Sequence, residues 1–206
     1  MSDKRKTRKY NKIVSELLYY RIELQHLNSI MLEAHLDFEA YYKEFCKKRE
    51  IDLGKLQEEN KENIDKLTSE RDTQKFKKNL PTIEGKRLLS KIYKSIALVI
   101  HPDKLITSNY DETEKKQKEE EFKTAASAAE NNDWGELLEI SEDLGLKVEI
   151  NDALLSEIDR EIDFLKRRIQ NEQTTYSWIL YQAPTSDEKD IVVKQFLKRM
   201  FNLEIT

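Results

Sequence analysis

The side chains best placed for chemistry belong to His101-Pro102-Asp103-Lys104, which puts an imidazole, a carboxylate and an ammonium within four residues. Pro102 stops a helix from running through the group and biases His101 away from helical geometry. The tetrapeptide is therefore expected to form a tight, exposed loop. Such a loop can recognise a charged partner, but it lacks the parts of a catalytic site. The sequence has no glycine-rich loop to cradle a phosphate and no nucleophile with a plausible base beside it. Cys46, the single cysteine, can form neither an intramolecular disulfide nor a zinc cluster, and next to Lys47, Lys48 and Arg49 it reads as a bystander. His26 and His35 are nine apart, not at the spacing of three or four that helical metal ligands need. Trp134 and Trp178 read as core, and Glu119 to Glu121 as a solvated helix face. No metal, cofactor or enzymatic activity is expected.

The element that delivers the loop is the run from Leu88 to Ile100. Leu89, Ile92, Tyr93, Ile96 and Ile100 follow steps of three and four, the stripe of an amphipathic helix. After the loop, a second helix is expected from about Asp111 to Glu130, with Phe122, Ala125, Ala126 and Ala129 on one face. Alanines there allow close approach to the helix before the loop. Asn131-Asn132 punctuates the chain. Asp133 with Glu136 reads as a capping box for a short helix carrying Trp134, Leu137, Leu138 and Ile140. Leu144-Gly145-Leu146 reads as its left-handed glycine end.

Over roughly residues 88–130 this arrangement resembles the J domain of the DnaJ family of co-chaperones. Tyr93, Ile96, Ala97 and Leu98 match the family's pre-loop helix, and His101, Pro102 and Asp103 match its signature loop. Lys104 matches the usual basic follower, and Phe122, Ala125 and Ala129 look like the packing face of the post-loop helix. The resemblance implies docking on a DnaK-type heat-shock chaperone and stimulation of its ATP hydrolysis. It puts Arg87, Lys91, Tyr93, Lys94, His101, Pro102, Asp103 and Lys104 at the partner surface, and Ile92, Ile96, Phe122, Ala125 and Ala129 in the core. The chemistry is coherent. Asp103 on a loop can accept charge-assisted bonds from a partner arginine, and Pro102 lowers the entropy of holding the loop in one shape. Lys86, Arg87, Lys91 and Lys94 form a positive face that steers towards an acidic surface. Ser90, Ser95 and Val99 depart from the family's basic positions. The family's short first helix is also missing; Lys66 to Lys78, with Phe76 and Leu80, is the stretch that would substitute for it.

Helical arms flank this unit. Tyr10, Leu17, Leu24, Met31, Phe38 and Phe45 are spaced by seven, and Ile13, Tyr20, Leu27, Ala34 and Tyr41 follow three residues later, the pattern of a coiled-coil seam. Leu155, Ile162, Ile169 and Tyr176, with Ile158, Leu165 and Ile179, repeat the logic near the C-terminus. Pairing the two arms antiparallel would bury both seams in one molecule; pairing between two molecules is the other solution. The expected organisation is a basic flexible arm (1–9), an N-terminal coiled-coil helix (10–50), a charged helical linker (51–80) and the J-like domain (84–146). A C-terminal coiled-coil helix and terminal helix (151–206) follow, the latter capped by Ser186 and carrying Ile191, Val192, Phe196 and Met200.

Composition agrees with an all-α fold. Charged residues make up 37% of the 206, against only 4 Gly and 3 Pro, which favours long helices with narrow apolar seams. A net charge of −4 gives no global field for nucleic acid, so such contact is expected only through Lys4, Arg5, Lys6, Arg8 and Lys9. The longest apolar run, Ile96 to Ile100, is too short to cross a bilayer, and no secretory leader is visible. The expectation is a soluble, cytoplasmic or nuclear co-chaperone whose arms select the client or complex. A structural coiled-coil adaptor, whose J-like hairpin has no chaperone partner, is the alternative.

Overall fold

The computed structural model describes residues 3–62, 64–65 and 81–205, and all regular structure among them is α-helical. In chain order the helices are α1 (Asp3–Lys48), α2 (Leu53–Glu59), α3 (Ile83–Ile100), α4 (Pro102–Ile106), α5 (Glu112–Glu130), α6 (Trp134–Asp143), α7 (Asp152–Gln173), α8 (Tyr176–Gln182) and α9 (Ser186–Phe201). The chain forms two compact units, residues 1–21 with 79–164 and residues 22–78 with 165–206. The unit boundaries at 21/22 and 164/165 cut across α1 and α7. The stretch proposed to replace a first J helix lies outside the described residues, as does most of the linker after α2.

Lys4 to Lys9, expected as a flexible arm, lie in the opening turns of α1. Lys and Arg are good helix formers, and no breaker separates them from the apolar rows that follow.

In the first unit, α3 starts at Thr82, whose Oγ1 accepts the Gly85 N–H at 2.9 Å. The buried Glu157 on α7 holds this cap in turn, accepting the Thr82 N–H at 3.1 Å and its hydroxyl at 2.6 Å. Arg160 donates to the same carboxylate oxygen at 3.1 Å. A Cβ on Gly85 would lie 2.6 Å from Glu157 Cδ, so glycine is what allows the two helices this close. Leu88, Leu89, Ile92, Ile96 and Ile100 form the buried face of α3. On α5 the fully packed alanines are Ala125 and Ala128; Ala129, expected in the core, is only half-buried. A run of alanines leaves the face ambiguous by one residue.

Asp133 caps α6 as expected, accepting the Glu136 N–H at 3.0 Å. The reciprocal half of the box is diverted, because the Glu136 carboxylate pairs with Arg21 of α1. Arg21 also reaches Glu139 at 2.9 Å and Asp133 at 3.7 Å. Burial pulls its guanidinium pKa down, but the three carboxylates outweigh this and hold it above the ordinary value. A complete capping box forms instead at Asp111 and Glu114, the start of α5. Gly145, at φ +64°, ends α6, with Gly145 N–H on Glu142 O and Leu146 N–H on Ser141 O, a Schellman turn.

The core of the second unit joins Tyr42, Phe45 and Cys46 of α1 to Leu180 of α8 and to Val192, Val193, Leu197 and Phe201 of α9. The Phe196 ring meets Phe38 at 5.0 Å, Tyr42 at 5.1 Å and Tyr176 at 5.5 Å, all edge-on. Cys46 is thus a fully buried, free core residue, and burial pushes its thiol pKa up. The C-terminal heptad stops early. The hydroxyls of Thr174 and Thr175 donate to Asn171 O and Glu172 O, α7 ends, and Thr175 caps α8. Ile179, expected in the seam, is exposed. Thr185, not Ser186, caps α9, whose first turn is thereby shifted by one residue, and Ile191 faces solvent.

Candidate partner-docking corner

α3 ends where Pro102 removes the next amide donor. His101 adopts φ −60°, ψ 136° and serves both helices: its N–H closes α3 on Ala97 O, and its Nδ1 accepts the Asp103 N–H at 3.2 Å to cap α4. The bond makes Nδ1 the acceptor, so the neutral ring carries its proton on Nε2. The expected loop is therefore a sharp corner followed by a short helix, with Pro102 at its first turn, where a missing N–H is harmless.

Two contacts fix the corner from below. The His101 ring stands edge-on to Phe122 of α5 at 5.1 Å, with Phe122 also 6.2 Å from Tyr93. Leu105 of α4 is buried, which pins the short helix to the unit. What remains outside is the Asp103 carboxylate, 87% exposed, 3.6 Å from His101 Nδ1.

No protein-family model, curated protein or solved structure matches the chain.

The outward side of α3 leads into the corner. Arg87, Lys91, Lys94 and the exposed Leu98 fall within one stripe of the helix, opposite the buried stripe of Leu89, Ile92 and Ile96. Lys91 pairs with Glu149 at 2.5 Å, Arg87 lies 3.9 Å from Glu84, and Lys94 is exposed about two turns before His101. Leu98 and Ile106 add exposed apolar surface on either side of His101. Two residues expected at a partner surface are used within the unit. Lys104 donates to Leu98 O, covering a carbonyl at the end of α3, and Tyr93 is half-buried beside Phe122. Ile92, Ile96 and Ala125 occupy the core as expected, and Phe122 is the half-buried seat of the corner. Glu157 and Gly85, which fix the other end of α3, were not legible in the sequence, because 72 positions separate them (157 minus 85).

Among the described residues, no cluster of three His, Cys, Asp or Glu side chains could hold a metal ion, and no helix is long and apolar enough to cross a membrane.

Proposed function

We propose that the first unit is a J-like co-chaperone module that docks on a DnaK-type chaperone through His101, Pro102 and Asp103 and stimulates its ATP hydrolysis. The observation that carries this reading is the corner itself. Its imidazole is seated on Phe122 and its backbone is capped, while the Asp103 carboxylate is held out at the end of a cationic helix face. A preformed exposed carboxylate beside that face suits a partner bearing an arginine next to an acidic patch. The rest of α1 and α7 to α9 would then act as the client- or complex-selecting part, in the cytoplasm or the nucleus, with the two long helices paired antiparallel.

Binding to a DnaK-type chaperone in its ATP-bound state tests the proposal. Asp103→Asn should weaken binding at least tenfold and Lys94→Glu several-fold, with affinity falling as salt rises. Equal binding by the wild type and Asp103→Asn would sink it.

One observation favours the second reading, a structural adaptor. His101 has local work, capping α4 and packing on Phe122, which a scaffold with no chaperone partner would need equally. That reading predicts pull-downs whose components are unchanged by Asp103→Asn.

A further inference from the structure

α1 carries two apolar stripes, and packing among the described residues buries only one. Leu17, Leu24, Leu27, Met31 and Ala34 are buried. On the opposite side Ile22, Leu32 and Leu36 are 66%, 69% and 62% exposed, with the half-buried Leu18 beside them. These residues follow a second heptad register. Ser15, Ile22, Ser29 and Leu36 are spaced by seven, as are Leu18, Gln25, Leu32 and Glu39 three residues later.

The spacing is self-complementary. A two-fold axis beside Leu27 sets Ile22 against Leu32 of a second copy, Leu18 against Leu36, and Gln25 against Ser29. Each pairing joins one row to the other, as layers do in an antiparallel coiled coil. An isologous interface demands this property of a surface patch: residue i meets j, and j meets i. Charge chooses the direction. A parallel pair would place Glu39 on Glu39 and Lys43 on Lys43 within the seam. The antiparallel pair sets Ser15 against Glu39 and Asn11 against Lys43, with no like charges in either layer.

We propose that the chain self-associates as an antiparallel homodimer through the Leu18, Ile22, Leu32 and Leu36 stripe of α1. The seam is small, with four apolar side chains from each copy, where a specific interface buries at least about 1,000 Å² in total. Association is therefore reversible and concentration-dependent. It is independent of the chaperone reading.

Sedimentation of the full chain from about 1 to about 200 µM should show the mass rising from the 24.5 kDa monomer towards twice that value. Leu32→Glu, on an exposed position that leaves helicity by circular dichroism unchanged, should raise the dissociation constant at least tenfold. Under mild oxidation, Ser15→Cys with Glu39→Cys should cross-link two chains, whereas Ser15→Cys alone and the wild type, with Cys46 buried, should not. A monomer throughout overturns the proposal and leaves the stripe to a protein of another sequence. A dimer insensitive to Leu32→Glu, or cross-linked by Ser15→Cys alone, overturns it equally.

Discussion

Glu157 is the side chain on which the start of α3 is anchored. Its carboxylate accepts the Thr82 N–H at 3.1 Å and the Thr82 hydroxyl at 2.6 Å, and pairs with Arg160 at 3.1 Å. Hydrogen bonds to a charged acceptor contribute about 1.5–3 kcal/mol each, and these, being only part-buried, fall in the lower part of that range. Arg160 is 34% exposed, so water recovers most of its share, and that ion pair counts for less than about 1 kcal/mol. The two Thr82 bonds dominate. Glu157→Ala is expected to destabilise the first unit by about 3–4 kcal/mol, and Glu157→Gln, which keeps an acceptor, by about 1–2 kcal/mol. Urea unfolding in a Trp178→Phe background makes Trp134, buried in the first unit, the reporter. The midpoint should fall in the order wild type, Gln, Ala, and amide exchange should accelerate in the first turn of α3. A shift of less than about 1 kcal/mol for Glu157→Ala would refute the assignment of this carboxylate as the latch of α3.

Other substitutions probe the remaining features. In Gly135→Ala the new Cβ would lie 2.1 Å from Arg21 Cδ, displacing the guanidinium from its carboxylates, and a loss of about 1–3 kcal/mol is expected in the same Trp134 transition. Glu50, at φ +55°, ends α1 in a left-handed conformation; Glu50→Gly should stabilise the second unit by about 1 kcal/mol in urea unfolding followed through Trp178. The Tyr42 hydroxyl is buried with no hydrogen-bond partner among the described residues, and Tyr42→Phe should be neutral or stabilising. Burial also pushes the Tyr42 phenol from 10.0 up to about 12. Its contribution is full below the unfolded value and is lost as pH climbs from 10 to 12, so the Phe variant should gain on the wild type across that window.

Legibility followed locality. The α3 stripe, the Asp133 cap and the Gly145 end were readable because each rests on residues within a turn or two of one another. The corner was readable as a stop at Pro102, but not as the start of α4: that needs the His101 ring turned onto the Asp103 amide, a side-chain choice fixed by Phe122 some twenty residues on. Nothing local in the sequence marks Glu157, and only its approach to Thr82 and Gly85 sets it apart. The Glu136 carboxylate likewise left its local box for Arg21, a partner 115 residues away. The end of α1 near 50 is legible in the sequence, but its left-handed form at Glu50 is not, because glycine, the residue that normally adopts it, is absent there. The break at Thr174 and Thr175 was masked by a heptad row that happens to continue through Tyr176.

The proposed function turns on whether the Asp103 carboxylate, presented by the His101 corner, acts on a chaperone partner. Single-turnover ATP hydrolysis by a DnaK-type chaperone tests it most directly, with the full chain added as wild type, His101→Gln or Asp103→Asn. Asp103 is exposed and its side chain supports no buried contact, so Asp103→Asn should fold as the wild type does. Acceleration at least tenfold above the basal rate is expected from the wild type, and none from either variant. Equal acceleration by all three proteins, or none by any, would contradict it.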